Sequence, residues 1–349
     1  MTTARGRPDG AGLDGILVVA KPPGPTSHDV VALVRRLAAT RRVGHGGTLD
    51  PFASGVLPIF LGRATRAAEY HLGDRKAYRA TVCFGATSTT DDLEGELTPS
   101  AAPAPSRAAV EGALVALRGP VRQLPPAYSA IKVAGRRAYA LARAGQAVVL
   151  APREVEIFHL AIESWNDSDP ERPLAVVSVE CSAGTYVRAI ARDLGAAVGS
   201  GAYLGALVRT ASGPFGLAGA VSLDEVRAAA AQGPEVLRTL LLPIDAGLDA
   251  FPVVEVGESD VASIARGQLI RPPRPLPDDP ALRYRVMGPG GTLVAVAAVR
   301  AGRLAPDKVF VEVPGKPREE AATDPEAALA ADLDPPEQVD SDPASPGDA

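Results

Sequence analysis

Short apolar runs alternate with amphipathic segments over residues 13–245, but they lack the regular strand–helix–strand rhythm of a parallel α/β sheet. Continuous apolar runs at 15–20 and 54–61 predict buried strands, and the alternating pattern at 76–84 predicts a half-buried strand. Apolar residues recur at helical spacing over 186–198, and also over 30–37 after a predicted N-cap at Ser27. This mixture predicts an α+β domain with a mixed, largely antiparallel sheet.

The composition changes near Pro243 to Phe251, and short strand-like runs follow it at 253–256, 284–286, 293–299 and 309–313, separated by Gly and Pro. We therefore expect one domain at 13–247 and a small β module at 248–315. Residues 1–12 are polar and Gly-rich, which predicts a flexible leader. Residues 316–349 are rich in Pro, Ala, Asp and Glu, which predicts a disordered acidic tail.

The formal net charge of −5 hides a strong asymmetry along the chain. Residues 316–349 contain two basic and ten acidic residues, a net of −8, which leaves +3 for residues 1–315. Residues 35–80 contain nine Lys or Arg and three Asp or Glu, a net of +6. Local basic character is what phosphate binding requires, although a charged run of this kind is also typical of an ordinary solvated surface.

The sequence carries no signature of a metal site or a membrane span. Its two cysteines, Cys83 and Cys181, lie in apolar, strand-like runs and have no His or Cys at metal-binding spacing. Nowhere do about 18 apolar residues follow one another, and the polar N-terminal region lacks the apolar core of a secretory signal. We expect a cytoplasmic protein without a metal or cofactor.

The segment Gly44 to Pro58 has the most informative local pattern, GHGGTLDPFASGVLP. Its glycines allow a backbone to approach a ligand closely, and Asp50 follows them directly. Pro51 biases Asp50 toward an extended conformation just before a predicted strand. On spacing alone an ordinary turn is the simpler interpretation, and a reactive carboxylate on a tight loop is the alternative.

This segment resembles the catalytic loop of the TruB family of pseudouridine synthases. The chain carries the residues of that pattern at ten positions: Gly44, His45, Gly47, Leu49, Asp50, Pro51, Ala53, Gly55, Leu57 and Pro58. Four further segments resemble family motifs in the same order: 15–27 (GILVVAKPPGPTS), 76–80 (KAYRA), 124–132 (LPPAYSAIK) and 184–188 (GTYVR). The resemblance covers about residues 13–245.

The resemblance implies a pseudouridine synthase fold with a C-terminal PUA-like RNA-binding module. It also implies isomerisation of uridine 55 in the T loop of tRNA, with base flipping and no cofactor or metal. The enzyme breaks the bond between ribose and base nitrogen, turns the base, and joins the sugar to base carbon 5. Asp50 is the implied catalytic carboxylate, acting either as a nucleophile or as a base that removes a sugar proton.

Besides Asp50, six positions match residues that bind the substrate or support the site in this family: Lys21, His45, Tyr78, Tyr186, Arg188 and Leu207. By this resemblance, Arg188 holds the carboxylate of Asp50 in its ionised form, since guanidinium stays charged and fits a carboxylate. Tyr78 would stack on the flipped base. The apolar side chain of Leu207 would pack against that base.

The resemblance gives the remaining residues more distant roles. His45 would enter the T loop and help to hold it open, and Lys21 would support the architecture of the site. Tyr186 would contact the substrate as part of its motif. Candidate phosphate contacts are Arg41, Arg42, Arg63, Arg66, Lys132, Arg136 and Arg137.

Three other functions remain open at this point. One is a tRNA-binding or tRNA-folding protein without catalysis. Another is a pseudouridine synthase of different RNA specificity, such as a guide-RNA-dependent subunit, and the third is a hydrolase with an aspartate nucleophile. The acidic tail and the lack of long basic extensions favour a stand-alone enzyme that acts on the T stem-loop without guide RNA. We also expect a monomer.

Overall fold

The computed structural model describes residues 12–129, 132–133, 136–137 and 150–313. The predicted leader, apart from residue 12, and the predicted acidic tail lie outside the described residues. No helix in the described part of the chain has the length and apolar character needed to cross a membrane.

The strands of the first domain are β1 (Gly15–Lys21), β2 (Val43–His45), β3 (Ser54–Leu61), β4 (Lys76–Phe84), β5 (Ala86–Ser88), β6 (Leu97–Pro99), β7 (Gly119–Gln123), β8 (Lys132–Val133), β9 (Arg136–Arg137), β10 (Arg153–Asn166), β11 (Leu174–Cys181), β12 (Ala202–Ser212), β13 (Phe215–Gly216) and β14 (Val221–Ser222). Within the described ranges, ten of them form one sheet in the order β14-β1-β3-β12-β4-β11-β10-β7, with β2 on β3 and β13 on β12. Two pairs are parallel, β1 with β14 and β3 with β12, and the others are antiparallel. The prediction of a mixed, largely antiparallel sheet is confirmed.

The helices are α1 (Ser27–Leu37), α2 (Ala68–Leu72), α3 (Arg107–Ala116), α4 (Val187–Ala197), α5 (Leu223–Gln232), α6 (Pro234–Arg238) and α7 (Glu258–Ala265). The first of them begins after an N-cap at Thr26, which forms a capping box with Asp29. The sequence pattern placed this cap one residue later, at Ser27, which is wrong. Because Thr26 caps the helix, the Ser27 hydroxyl is free to turn inward and bind another segment.

One hydrophobic core joins the helices to the sheet and includes the loop between β2 and β3. Side chains from α1, α4 and α5, such as Val31, Ile190 and Val226, pack in the same cluster as the strands. Leu49 and Ala53, which lie on either side of Asp50 in the loop, are buried in this cluster as well. Burial of such apolar groups anchors the loop on both sides of its carboxylate.

The C-terminal module is a second sheet in the order β15 (Val253–Glu255), β16 (Tyr284–Gly288), β17 (Thr292–Arg300) and β18 (Arg303–Val309). The sequence pattern placed the last strand at 309–313, which is wrong. Ala301 and Gly302 have positive φ and form a two-residue turn, so pairing resumes at once between Arg300 and Arg303.

A shared cluster joins the two sheets. Buried Ala67 and Leu248 pack in it with Val296 and Phe310 of the small module. Lys308 also forms an ion pair of 3.0 Å with Glu69 of α2. The small module is therefore docked against the face that carries α2.

Candidate active site

The loop that carries Asp50 is held by hydrogen bonds on both sides of the carboxylate. The Ser27 hydroxyl accepts from Leu49 N at 2.9 Å and lies 3.2 Å from Leu49 O. Pro51 O accepts from Gly24 N at 2.8 Å, and Asp50 O accepts from Ala53 N at 3.1 Å. Because these bonds fix the residues before and after it, Asp50 has a defined position at the surface of the core.

Lys21 supports the same loop from the end of β1. Its buried ammonium donates to Ala53 O at 2.7 Å, to Pro22 O at 2.9 Å and to Pro51 O at 3.2 Å. Burial lowers the pKa of Lys21 to about 8, and the carboxylate of Asp50 partly opposes this shift. Lys21 therefore stabilises the loop and lies close enough to Asp50 for the two charges to interact.

Arg188, in the first turn of α4, forms an ion pair with Asp50. Its Nη2 donates to Asp50 Oδ1 at 3.2 Å, and its Nε lies 3.0 Å from Oδ2 without the alignment of a hydrogen bond. Two backbone carbonyls, of Thr90 at 3.2 Å and Tyr128 at 3.0 Å, also accept from this guanidinium. The side chain of Asp50 is 34% exposed and that of Arg188 only 6%, so the carboxylate faces outward from a buried support.

Asp92 is the second carboxylate on Arg188, and the sequence analysis missed it. Its Oδ2 lies 3.3 Å from Arg188 Nη1, and its Oδ1 accepts from Thr90 Oγ1 and from Glu94 N. Burial raises the pKa of Asp50 and the charge of Asp92 adds to this, whereas Arg188 and Lys21 oppose it. Nothing in the local sequence around Asp92 signals that its side chain is buried.

Tyr78 and Leu207 lie on neighbouring strands, β4 and β12. Tyr78 pairs with Arg209, and Ala80 pairs with Leu207, so these side chains share one face of the sheet. Leu207 is buried in the core cluster that contains Leu49, and Tyr78 packs against the same cluster. Burial raises the pKa of Tyr78, which keeps its phenol protonated.

Tyr186 is the N-cap residue of α4 and directly precedes Val187 and Arg188. Its backbone N–H donates to Gln123 Oε1 at 2.8 Å, and its carbonyl accepts from Gln123 Nε2 at 3.1 Å. These two bonds fix the start of the helix that presents Arg188. Gln123 was also not identified from the sequence.

His45 is the last residue of β2 and directly precedes the loop that carries Asp50. Its Nδ1 accepts from Gly47 N at 3.3 Å, and its ring packs edge-on against His28, with 5.6 Å between the centroids. Burial and nearby positive groups lower the pKa of His45 to about 4. The imidazole is therefore neutral at physiological pH and separate from the ion pairs of Arg188. Among the described residues, no group of three or more His, Cys, Asp or Glu has the geometry of a metal site.

Comparison with models of known protein families shows to which family the chain belongs. Residues 35–187 match the model described as TruB family pseudouridylate synthase (N terminal domain). Residues 188–249 match the tRNA pseudouridylate synthase B C-terminal domain. This chain belongs to the TruB family. It is a pseudouridine synthase, an isomerase, and the family resemblance seen in the sequence is confirmed.

Curated relatives of the TruB family cover most of the chain. The tRNA pseudouridine synthase B of Bradyrhizobium diazoefficiens is 43% identical over 87% of this chain and 88% of its own length. The proteins of the same name from Arthrobacter sp. strain FB24 and Thermobifida fusca are 43% and 42% identical and are covered over 100% and 98% of their lengths. TruB-family enzymes thus match this chain across both the loop of Asp50 and the segment of Arg188.

A solved structure shows the same fold. A chain of the Cbf5-Nop10-Gar1 complex aligns with a TM-score of 0.64 and 24% identity, covering 88% of each chain. This supports the predicted pseudouridine synthase fold, with a small C-terminal β sheet consistent with a PUA-like module.

Proposed function

We propose that this chain isomerises uridine 55 in the T loop of tRNA to pseudouridine, with Asp50 as the reacting carboxylate. The observation that carries the proposal is the outward-facing carboxylate of Asp50 held by the buried guanidinium of Arg188. A reacting carboxylate must be fixed in direction yet reachable by the substrate. Asp50 meets both requirements, because its partner is buried and its own side chain is partly exposed.

Ionised Asp50 is the form that the reaction needs, either to attack the substrate or to remove a sugar proton. Burial and Asp92 work against ionisation, as would the phosphates of a bound RNA. Arg188 and Lys21 offset these effects by placing two cations next to the carboxylate. The loss of either cation therefore raises the fraction of Asp50 that is protonated and inactive.

The flipped uracil would occupy the space next to Asp50. Extruding a base from a folded loop costs a few kcal/mol, and stacking on an aromatic ring returns about 1–3 kcal/mol. Tyr78 supplies that ring, and Leu207 and Tyr186 supply further contacts around the base. His45, at the end of β2, would contact the T loop from which the base is taken.

The remaining surface supports binding of the tRNA backbone. Burial lowers the pKa of Arg66, and the nearby charges of Arg42 and Arg63 lower it further. An RNA phosphate would relieve the repulsion among these three guanidinium groups. The side chains of Lys132, Arg136 and Arg137 lie outside the described residues. We assign catalysis to residues 13–247 and RNA binding to the PUA-like module at 248–315. We further infer a cytoplasmic monomer that acts without guide RNA.

A T stem-loop RNA and the purified chain are sufficient to test this proposal. The wild-type chain should form pseudouridine at position 55, and Asp50→Asn should form none while binding the RNA with an affinity within about threefold. Asp224→Asn is the matched control, because this carboxylate on α5 is 90% exposed and should be dispensable. A wild-type chain that binds the RNA but never forms pseudouridine would overturn the proposal, as would full turnover by Asp50→Asn.

A further inference from the structure

Arg209, on β12, is a buried cation that the chemistry described above does not use. Only 1% of the residue is exposed, and no carboxylate pairs with it in the described part of the chain. Its guanidinium binds backbone carbonyls instead: Nε donates to Val56 O at 2.7 Å, Nη2 to Gly47 O at 3.1 Å and Nη1 to Thr48 O at 3.3 Å. Burying a cation without a paired anion is costly, and three backbone carbonyls offset that cost here.

These three carbonyls lie on both sides of Asp50 in the sequence. Gly47 and Thr48 precede it in the loop, and Val56 follows it at the start of β3. The backbone of Arg209 also touches the loop, because a Cβ added at Gly55 would lie only 2.2 Å from Arg209 O. One side chain and its backbone therefore hold both ends of the segment that presents Asp50.

The phenol of Tyr78 lies near the same guanidinium. The positive charge of Arg209 partly opposes the rise in the pKa of Tyr78 that burial causes. Tyr78 and Arg209 are direct cross-strand partners of β4 and β12, so their separation is fixed by the sheet. Arg209 therefore binds the segment that presents Asp50 through its guanidinium and is paired with Tyr78 through the sheet.

We propose that Arg209 is a positioning residue for the isomerisation: its guanidinium fixes the hydroxyl of Tyr78 relative to the loop of Asp50. This inference rests on the proposed function. A planar fork that binds three backbone carbonyls and lies beside the phenol would set the distance between the two groups that would contact the flipped nucleotide. Arg209 would thus act on the chemical step rather than on tRNA binding.

The test measures single-turnover pseudouridine formation on a T stem-loop for Arg209→Met, Tyr78→Phe and the double variant. We expect Arg209→Met to slow the chemical step about 100-fold, the loss associated with a misplacement of about 1 Å, with RNA affinity within about threefold of wild type. If the two effects were independent, the double variant would be slowed by the product of the two single effects. We expect its rate to be at least tenfold higher than that, because both substitutions disrupt the same contact.

A spectroscopic readout separates positioning from general loss of stability. With 3-fluorotyrosine in the chain, the ¹⁹F resonance of Tyr78, assigned by Tyr78→Phe, should shift in Arg209→Met. It should not shift in Arg285→Met, which removes another guanidinium that binds a carbonyl, Phe251 O at 3.1 Å, in the small module. If Arg209→Met does not fold, Arg209→Lys, which keeps the charge but loses the fork, takes its place in the same measurements.

The outcomes distinguish this inference from the function on which it rests. A wild-type chain without pseudouridine synthase activity would refute the proposed function. If the wild type is active, two results would refute the positioning role alone. One is an Arg209 variant with a rate within threefold of wild type, and the other is multiplicative effects of the Arg209 and Tyr78 substitutions.

Discussion

Replacing Ser27 by Ala should impair catalysis more than the loss of one small hydroxyl group suggests. The buried Ser27 hydroxyl accepts from Leu49 N at 2.9 Å, one residue before Asp50. Without it, the buried N–H of Leu49 has lost its partner, at a cost of about 1–3 kcal/mol. The loop can avoid this cost only by moving Leu49 toward water, which also moves Asp50 away from Arg188.

The neighbouring hydroxyl provides a matched control. Thr26→Ala removes the N-cap of the same helix and should cost about 0.5–2 kcal/mol, close to the cost for Ser27→Ala. Thr26 is bonded to Asp29 and not to the loop. The two variants should therefore lose similar stability but differ in activity.

The assay combines urea unfolding with single-turnover pseudouridine formation on a T stem-loop. We expect Ser27→Ala to slow the chemical step tenfold or more, since a displacement of about 1 Å costs up to about 100-fold, while Thr26→Ala stays within about twofold of wild type. Equal rates for the two variants at equal stability would refute the reasoning, because Ser27 would then stabilise the helix without positioning Asp50.

Two further predictions concern the support of the loop. Gly55→Ala should destabilise the chain strongly and reduce its activity, because Gly55 has a φ of 107° and the added Cβ would lie 2.2 Å from Arg209 O. A variant with the melting temperature of wild type would contradict this. Lys21 has a pKa of about 8 when folded against about 10.4 when unfolded, so the unfolded chain holds more protons between these values. In urea titrations, wild type should therefore gain stability relative to Lys21→Met as the pH rises from 8 to 10; an unchanged difference across this range would contradict it.

The local pattern of apolar residues was sufficient to predict the strands that frame the site. Continuous or alternating apolar runs predicted β1, β3 and β4 because side-chain periodicity reports directly which face of a strand is buried. The start of α1 was misplaced because Thr26 and Ser27 are both good N-cap residues, and only the structure shows which hydroxyl faces the helix. The last strand was misplaced because residues 303–309 (RLAPDKV), which follow the tight turn of Ala301 and Gly302, contain a Pro and three charged residues and no regular apolar pattern.

The polar supports of the site were harder to predict. Family resemblance pointed to Asp50 and Arg188, which are 138 positions apart in the chain and form an ion pair in the fold. Asp92 and Arg209 were missed because they are buried by contacts with distant segments. Arg209 and Val56, for example, are 153 positions apart in the chain. Periodicity predicts the burial of apolar side chains, but the burial of a charged one depends on which carbonyls or ions the fold brings to it. The catalytic and substrate-binding roles of the predicted site residues stay predictions.

Mapping pseudouridine in tRNA from cells that lack this chain tests the central claim most directly. The T loops of that tRNA should carry uridine at position 55. A plasmid encoding the wild-type chain should restore pseudouridine there, and one encoding Asp50→Asn at the same protein level should not. Normal modification of position 55 without the chain, or restoration by the Asn variant, would contradict the account.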